Sequence, residues 1–138
     1  MLETLAHIGI AVKDLQASSR LFQALLGKSL DHQEEIPDQK VKTAFFEAGG
    51  VAIELTAGTS MESPIAKFIE KRGEGVHHLS FVVEDLEHEL TRLRAAGFQL
   101  VDERPRLGAD GCLVAFLHPK STNGVLIELC QRANTPTL

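Results

Sequence analysis

Two histidines and two glutamates recur in matching contexts, and together they form a donor set for a divalent metal. His7 opens the run His7-Ile8-Gly9-Ile10-Ala11-Val12-Lys13-Asp14-Leu15, and His78 opens His78-Leu79-Ser80-Phe81-Val82-Val83-Glu84-Asp85-Leu86, an offset of 78 − 7 = 71. Glu54 lies in Val51-Ala52-Ile53-Glu54-Leu55 and Glu128 in Leu126-Ile127-Glu128-Leu129, an offset of 128 − 54 = 74. Two neutral imidazoles and two carboxylates suit Zn, Co, Ni, Mn or Fe. Four such ligands in an octahedral arrangement leave two positions that a bidentate substrate can fill. A single histidine is seldom a ligand, so it is the repeat phase that singles out His7 and His78. In a strand, the apolar neighbours of Glu54 and Glu128 face one side and the carboxylates the other. Repeat packing accounts for equivalent apolar positions, but an enclosed carboxylate needs a partner, because an isolated buried charge is costly.

The elements that must position these four groups follow one grammar, stated twice. Leu5 to Val12 reads as a buried strand, and Asp14 caps a helix whose stripe Leu15, Leu21, Phe22, Leu25 and Leu26 stops at Gly27. Asp85 caps a second helix that turns Leu86, Leu90, Leu93 and Ala96 to the core and closes at Gly97. Three extended stretches follow each helix: Leu30 to Glu35, Val41 to Ala48 and Val51 to Thr56 in the first half, and Gln99 to Glu103, Cys112 to His118 and Val125 to Gln131 in the second. Each half is therefore β-α-β-β-β in an α+β domain covering residues 1–138, with repeats over 1–58 and 75–131. An extra helix over 63–72 joins them, opened by Ser63 with Pro64 at its first position and closed by Lys71-Arg72-Gly73. The tail from Ala133 to Leu138 carries no periodicity and is expected to fray. If the two modules pack about a pseudo-twofold axis, all four ligands can converge.

The 138 residues make one domain's worth of chain with 43% hydrophobic and 24% charged residues, a soluble composition. No apolar run approaches the roughly 18 residues of a membrane span, and no basic segment followed by an apolar stretch marks a secretion signal. Cys112 and Cys130 alone do not make a disulfide framework, so a reducing cytoplasm with two buried, inert thiols is expected. A net charge of −5 argues against a nucleic-acid partner. His77 points away from the face of His78 and reads as structural, whereas His32 and His88 lie in polar settings and read as solvated. No glycine-rich phosphate loop is present.

The chain resembles the vicinal-oxygen-chelate superfamily of paired β-α-β-β-β modules from about Leu5 to Gln131. Several segments are similar to its methylmalonyl-coenzyme A epimerases: Ser63-Pro64-Ile65-Ala66-Lys67-Phe68-Ile69, Gly75-Val76-His77-His78, Leu107-Gly108-Ala109-Asp110-Gly111, Phe116-Leu117-His118-Pro119-Lys120-Ser121 and Gly124-Val125-Leu126-Ile127-Glu128-Leu129. The resemblance implies a curved, incompletely closed mixed β-sheet barrel with helices outside. It also implies one divalent ion per chain (Co, Mn, Zn or Ni) held by His7, Glu54, His78 and Glu128, an acyl-coenzyme A substrate and a homodimer. The implied reaction interconverts the two epimers of methylmalonyl-coenzyme A through a metal-stabilised enolate. Glu128 serves as one base. Some relatives carry a further carboxylate on the third strand, where this chain has Thr43, so Glu54 is the expected second base and Glu47, on the same face, the lesser candidate. Lys120, Ser121 and His118 fall where the resemblance implies substrate contact, and Arg104, Arg106 and the Lys67, Lys71 and Arg72 face are further cations for coenzyme phosphates.

Glyoxalase I shares the His, Glu, His, Glu order and is the principal alternative, with His118-Pro119-Lys120-Ser121 standing in place of its usual Asp-Pro-Asp-Gly. An extradiol dioxygenase needs two histidines and one carboxylate around Fe(II), and Glu54 argues against it. A non-catalytic small-molecule binder of the same fold would not require all four ligands.

Overall fold

The computed structural model describes Leu2 and residues 4–133, so most of the expected frayed tail lies outside the described residues. The chain divides into two compact units, one of residues 7–77 and one of residues 1–6 with 78–138.

In the unit of residues 7–77, strand β1 (Thr4–Ala11, of which the first residues count with the other unit) leads into helix α1 (Leu15–Leu26). Strands β2 (His32–Ile36), β3 (Val41–Ala48) and β4 (Val51–Gly58) follow, and then helix α2 (Pro64–Arg72). The strand order is β2-β3-β4-β1, with β1 parallel to β4 and the other pairs antiparallel. The Asp14 carboxylate accepts the Ala17 amide at 3.0 Å, and Gly27 at φ 66° ends α1 in a left-handed turn that a side chain resists. Ala44, Phe46 and Leu55 pack beneath α1 with Phe22 and Leu26. Burying side chains such as Phe46 and Leu55 stabilises the fold by about 1.5–3 kcal/mol each. Leu21 and Leu25, expected in the same stripe, are instead 65% and 71% exposed. Leu15, Ser19, Phe22 and Leu26 already fill the inward face at helical spacing, and Leu21 and Leu25 are turned off it by about one residue's rotation.

α2 covers the far end of the opposite sheet face, where Ala11, Val41 and Ile65 form a small cluster. Ser63 caps it through the Ile65 amide at 3.2 Å, as the sequence indicates. Gly58 lets β4 approach this cap, since a Cβ there would lie 2.8 Å from the Ser63 side chain.

In the other unit, β5 (Gly75–Val82, shared at its start with the first unit) is followed by α3 (Leu86–Ala95), β6 (Arg106–Leu107), β7 (Leu113–Leu117) and β8 (Ile127–Gln131). The order is β5-β8-β7-β6, with β5 parallel to β8. Leu86, Leu90 and Leu93 pack on Ala115, Leu117 and Leu129, but Ala96 is exposed beyond the last turn. The Gln99 to Glu103 stretch is not a strand. Leu100 makes an isolated bridge to Leu117, and the Asp102 carboxylate accepts the Phe116 amide at 2.9 Å, taking a place a backbone carbonyl would hold in a ladder. Pro105 has no amide to offer, and pairing resumes only at Arg106. The architecture is the α+β fold expected, each module β-α-β-β-β with a mixed sheet and its helix on one face.

Candidate functional site

Strand alternation gives the strands of each unit a face under their helix and a face that carries the polar residues. In the first unit the second face holds His7 and Gly9 on β1, Glu54 and Thr56 on β4, and Thr43 and Phe45 on β3. Glu54 stands opposite both Gly9 and Phe45 in the register. His7 Nε2 lies 3.2 Å from Glu54 Oε2, with side chains 13% and 8% exposed. The Phe45 ring meets the His7 ring edge-on at 6.1 Å.

The other unit repeats this arrangement. On the face away from α3, His78 and Ser80 on β5 neighbour Glu128 and Cys130 on β8, and Glu128 stands opposite both Ser80 and Phe116. His78 Nε2 lies 3.7 Å from Glu128 Oε2, and both residues are buried. The Phe116 ring meets the His78 ring edge-on at 5.6 Å. The two phenylalanines stand at the spacing of the two histidines. That repeat was available in the sequence and marks residues its reading passed over. Apolar rings beside a carboxylate lower the local dielectric, so each His–Glu interaction is stronger than it would be in water.

Each expected ligand thus lies beside another expected ligand within its own unit. The donor chemistry fits a metal: two ligands about 2.1 Å from one ion, at octahedral or tetrahedral angles, stand about 3.0–3.4 Å apart, close to the 3.2 Å and 3.7 Å separations observed.

The remaining candidates divide. Glu47 is exposed at the end of β3 and turns back onto the β3–β4 hairpin, where its carboxylate accepts the Gly50 amide at 3.2 Å. Its own amide donates to Asp31 at 2.7 Å, which holds that carboxyl below its usual range. His118, Lys120 and Ser121 share one short 3-10 turn after β7. The Lys120 amide donates to His118 Nδ1 at 3.1 Å, and the Ser121 hydroxyl donates to the His118 carbonyl at 3.1 Å and accepts the Gln99 amide at 3.1 Å. His118 and Ser121 therefore shape the turn, and Lys120 is the exposed cation on it. Arg106 lies over the Phe116 ring at 5.8 Å and pairs with Asp102 at 3.4 Å. His77 packs edge-on against Phe68 at 4.8 Å, the structural role expected of it. His88 and His32 are both exposed, as expected, and His32 also stacks on Phe45 and meets Glu34 at 3.0 Å.

One of the two thiols differs from expectation. Cys130 is buried, but Cys112 is only half-buried. A hydrogen bond between them lowers the Cys112 thiol to about 7, and the same bond together with burial pushes Cys130 up.

A family signature described as the Glyoxalase/Bleomycin resistance protein/Dioxygenase superfamily matches residues 6–116. An ethylmalonyl-CoA/methylmalonyl-CoA epimerase of Cereibacter sphaeroides is 38% identical over 133 residues, 95% of this chain and 99% of that protein. The crystal structure of methylmalonyl-CoA epimerase from Mycobacterium tuberculosis superposes with a TM-score of 0.91 at 39% identity, covering 96% of this chain and 90% of that one. A methylmalonyl-CoA epimerase solved in complex with methylmalonyl-CoA and ammonium superposes with a TM-score of 0.91 at 33% identity over the whole of both chains.

Proposed function

The chain belongs to the glyoxalase/bleomycin resistance protein/dioxygenase superfamily and is an epimerase within it; from this premise we propose that it interconverts (2R)- and (2S)-methylmalonyl-CoA by moving the proton at C2. The observation that carries this reading is the pair of repeat-related His–Glu contacts, His7 with Glu54 and His78 with Glu128, in which all but the partly buried His7 are buried. C2 lies between a carboxylate and a thioester, so its proton is acidic enough for a carboxylate base in a dry site. Inversion requires a base on each face of that carbon.

We assign Glu128 to one face and Glu54 to the other. A positioned general base contributes roughly 10²–10⁴-fold to such a transfer. His7, Glu54, His78 and Glu128 would together hold one divalent ion, with Co, Mn, Zn and Ni all compatible with the donors. Such an ion would supply Lewis-acid stabilisation of the negative charge that develops on the substrate oxygens. The histidines fix the carboxylates in orientation, and Phe45 and Phe116 keep water from competing for the proton. Lys120, exposed on its turn, is assigned to an anionic group of the coenzyme A ester, with His118 and Ser121 holding the turn.

The homodimer and cytoplasmic location belong to the same proposal. Leu21 and Leu25 on α1 give a small apolar surface for a second copy, and light scattering should return twice the 15.1 kDa chain mass. Among the described residues no helix is long and apolar enough to cross a membrane.

The reaction is tested by supplying a divalent ion with either a single epimer of methylmalonyl-CoA or the hemithioacetal of methylglyoxal and glutathione. Loss of optical purity in the coenzyme A ester, with poor turnover of the hemithioacetal, supports the epimerase. Rapid isomerisation of the hemithioacetal with the ester untouched assigns a glyoxalase instead.

A further inference from the structure

Ser80 is fully buried, and its hydroxyl makes no hydrogen bond among the described residues. Its strand places it on the face of His78, directly across from Glu128 in the β5–β8 register. Buried side-chain hydroxyls nearly always have a partner, because desolvating one without a replacement bond is unfavourable. An alanine would fill this position without that penalty, and the repeat-equivalent residue of the other unit, Gly9, shows that the strand can do without any side chain here.

Two other buried hydroxyls share the property. Ser19 lies on α1 and Thr43 on β3. Of the three, only Ser80 neighbours one of the two proposed bases in its strand register, with Glu128 on one side and the Phe116 ring one strand farther on.

We propose that the Ser80 hydroxyl donates a hydrogen bond to an oxygen of the bound acyl thioester, a substrate contact that rests on the epimerase reading. The chemistry fixes which kind of oxygen this is. If Glu128 takes the proton from C2, then the groups nearest that carbon are the thioester carbonyl and the carboxylate, and a donor beside Glu128 faces their oxygens. These are the atoms that gain negative charge as the proton leaves. The hydroxyl has no exposed surface, so the ester reaches it by displacing the side chains that cover it; held on a strand, it then donates to that charge. Ser80 therefore binds the substrate and also favours the transition state over the ground state. The ester supplies the acceptor that the protein withholds.

The variants Ser80→Ala and Ser80→Cys separate this role from packing, since alanine removes the group and a thiol of similar size is a weak donor. Turnover of methylmalonyl-CoA, metal content and thermal midpoint are measured together for wild type and both variants. We expect kcat/KM to fall at least ~10-fold in both, toward the ~10²–10³-fold seen when one such donor is removed from an oxyanion site, with the loss mainly in kcat. Metal content should be unchanged, and the midpoint of Ser80→Ala should equal or exceed that of wild type. A Ser80→Ala enzyme within twofold of wild type, or a loss of stability with kcat intact, overturns the proposal while leaving the epimerase standing. A wild-type protein that neither turns over nor binds the ester overturns the functional reading and this inference with it.

Discussion

In one unit the residue beside the strand carboxylate Glu54 is Gly9, and in the other the residue beside Glu128 is Ser80. The third strands differ in the opposite sense: Thr43 carries a buried hydroxyl two residues before Phe45, and Val114 stands two residues before Phe116. The His–Glu–Phe triplet is the same in both units, but the small polar groups around it are not. On the proposed reading an ion, which has no handedness of its own, would ask the same of both units, a nitrogen and an oxygen from each. A substrate whose reacting carbon bears a carboxylate on one side and a thioester on the other asks different things of them. The proposal thus accounts for both observations: the repeat would be preserved where the demand is symmetric and depart from itself where it is not.

The symmetric part is broken most severely by removing a histidine. His7→Ala and His78→Ala should each lose metal by more than the ~10–100-fold typical of residues that only support a ligand, and turnover should collapse with it. Elemental analysis beside a turnover assay checks this, and equal losses in the two variants are expected. A variant that keeps its metal and activity would remove that unit from the site.

The asymmetric part is sharpened by Thr43→Val. Valine has nearly the same shape and no hydroxyl, so relieving an unpaired buried group should raise stability by about 1 kcal/mol. A thermal melt or urea titration reads this directly. If Thr43 contacts no substrate, turnover should stay within a few fold of wild type, in contrast to Ser80→Ala. A fall in stability would mean that the Thr43 hydroxyl is satisfied in solution.

A smaller effect distinguishes the thiols of the second unit. With its thiol lowered to about 7 by the bond to Cys130, Cys112 gains its thiolate as pH rises through that value. Its alkylation by iodoacetamide should therefore rise through a midpoint near pH 7 and level off above it. Cys130→Ala should return the midpoint toward the ordinary thiol value of about 8.5, with little change in turnover. An unchanged midpoint in that variant would show that Cys130 is not the cause.

That His7 and Glu54 share one strand face, and His78 and Glu128 another, was legible because repetition and strand alternation are properties of sequence. Helix caps at Asp14, Ser63 and Asp85 were legible because capping is local chemistry. The departures arose where tertiary geometry decides. Leu21 and Leu25 satisfy a helical apolar count but lie off the face that Leu15, Phe22 and Leu26 occupy. The Asp102 side chain displaced a strand that the hydrophobic pattern around Leu100 and Val101 suggested. Ser80 gave no signal at all, since a serine in a strand reads as unremarkable until its burial and its neighbour are known.

The central claim is that the carboxylates of the two units work as bases on opposite faces of one carbon. It is tested by incubating Glu54→Gln and Glu128→Gln, each verified to hold metal, in D₂O with each epimer of methylmalonyl-CoA separately, and following deuterium at C2 by mass spectrometry alongside chirality. An amide can still coordinate but cannot accept the proton at neutral pH. Each variant should lose epimerisation by about 10²–10⁴-fold while still exchanging deuterium into one epimer without inversion, and the epimer should differ between the two variants. Loss of exchange with both epimers in one variant, together with near-normal epimerisation in the other, would contradict the account and leave a single carboxylate to do all the proton transfer.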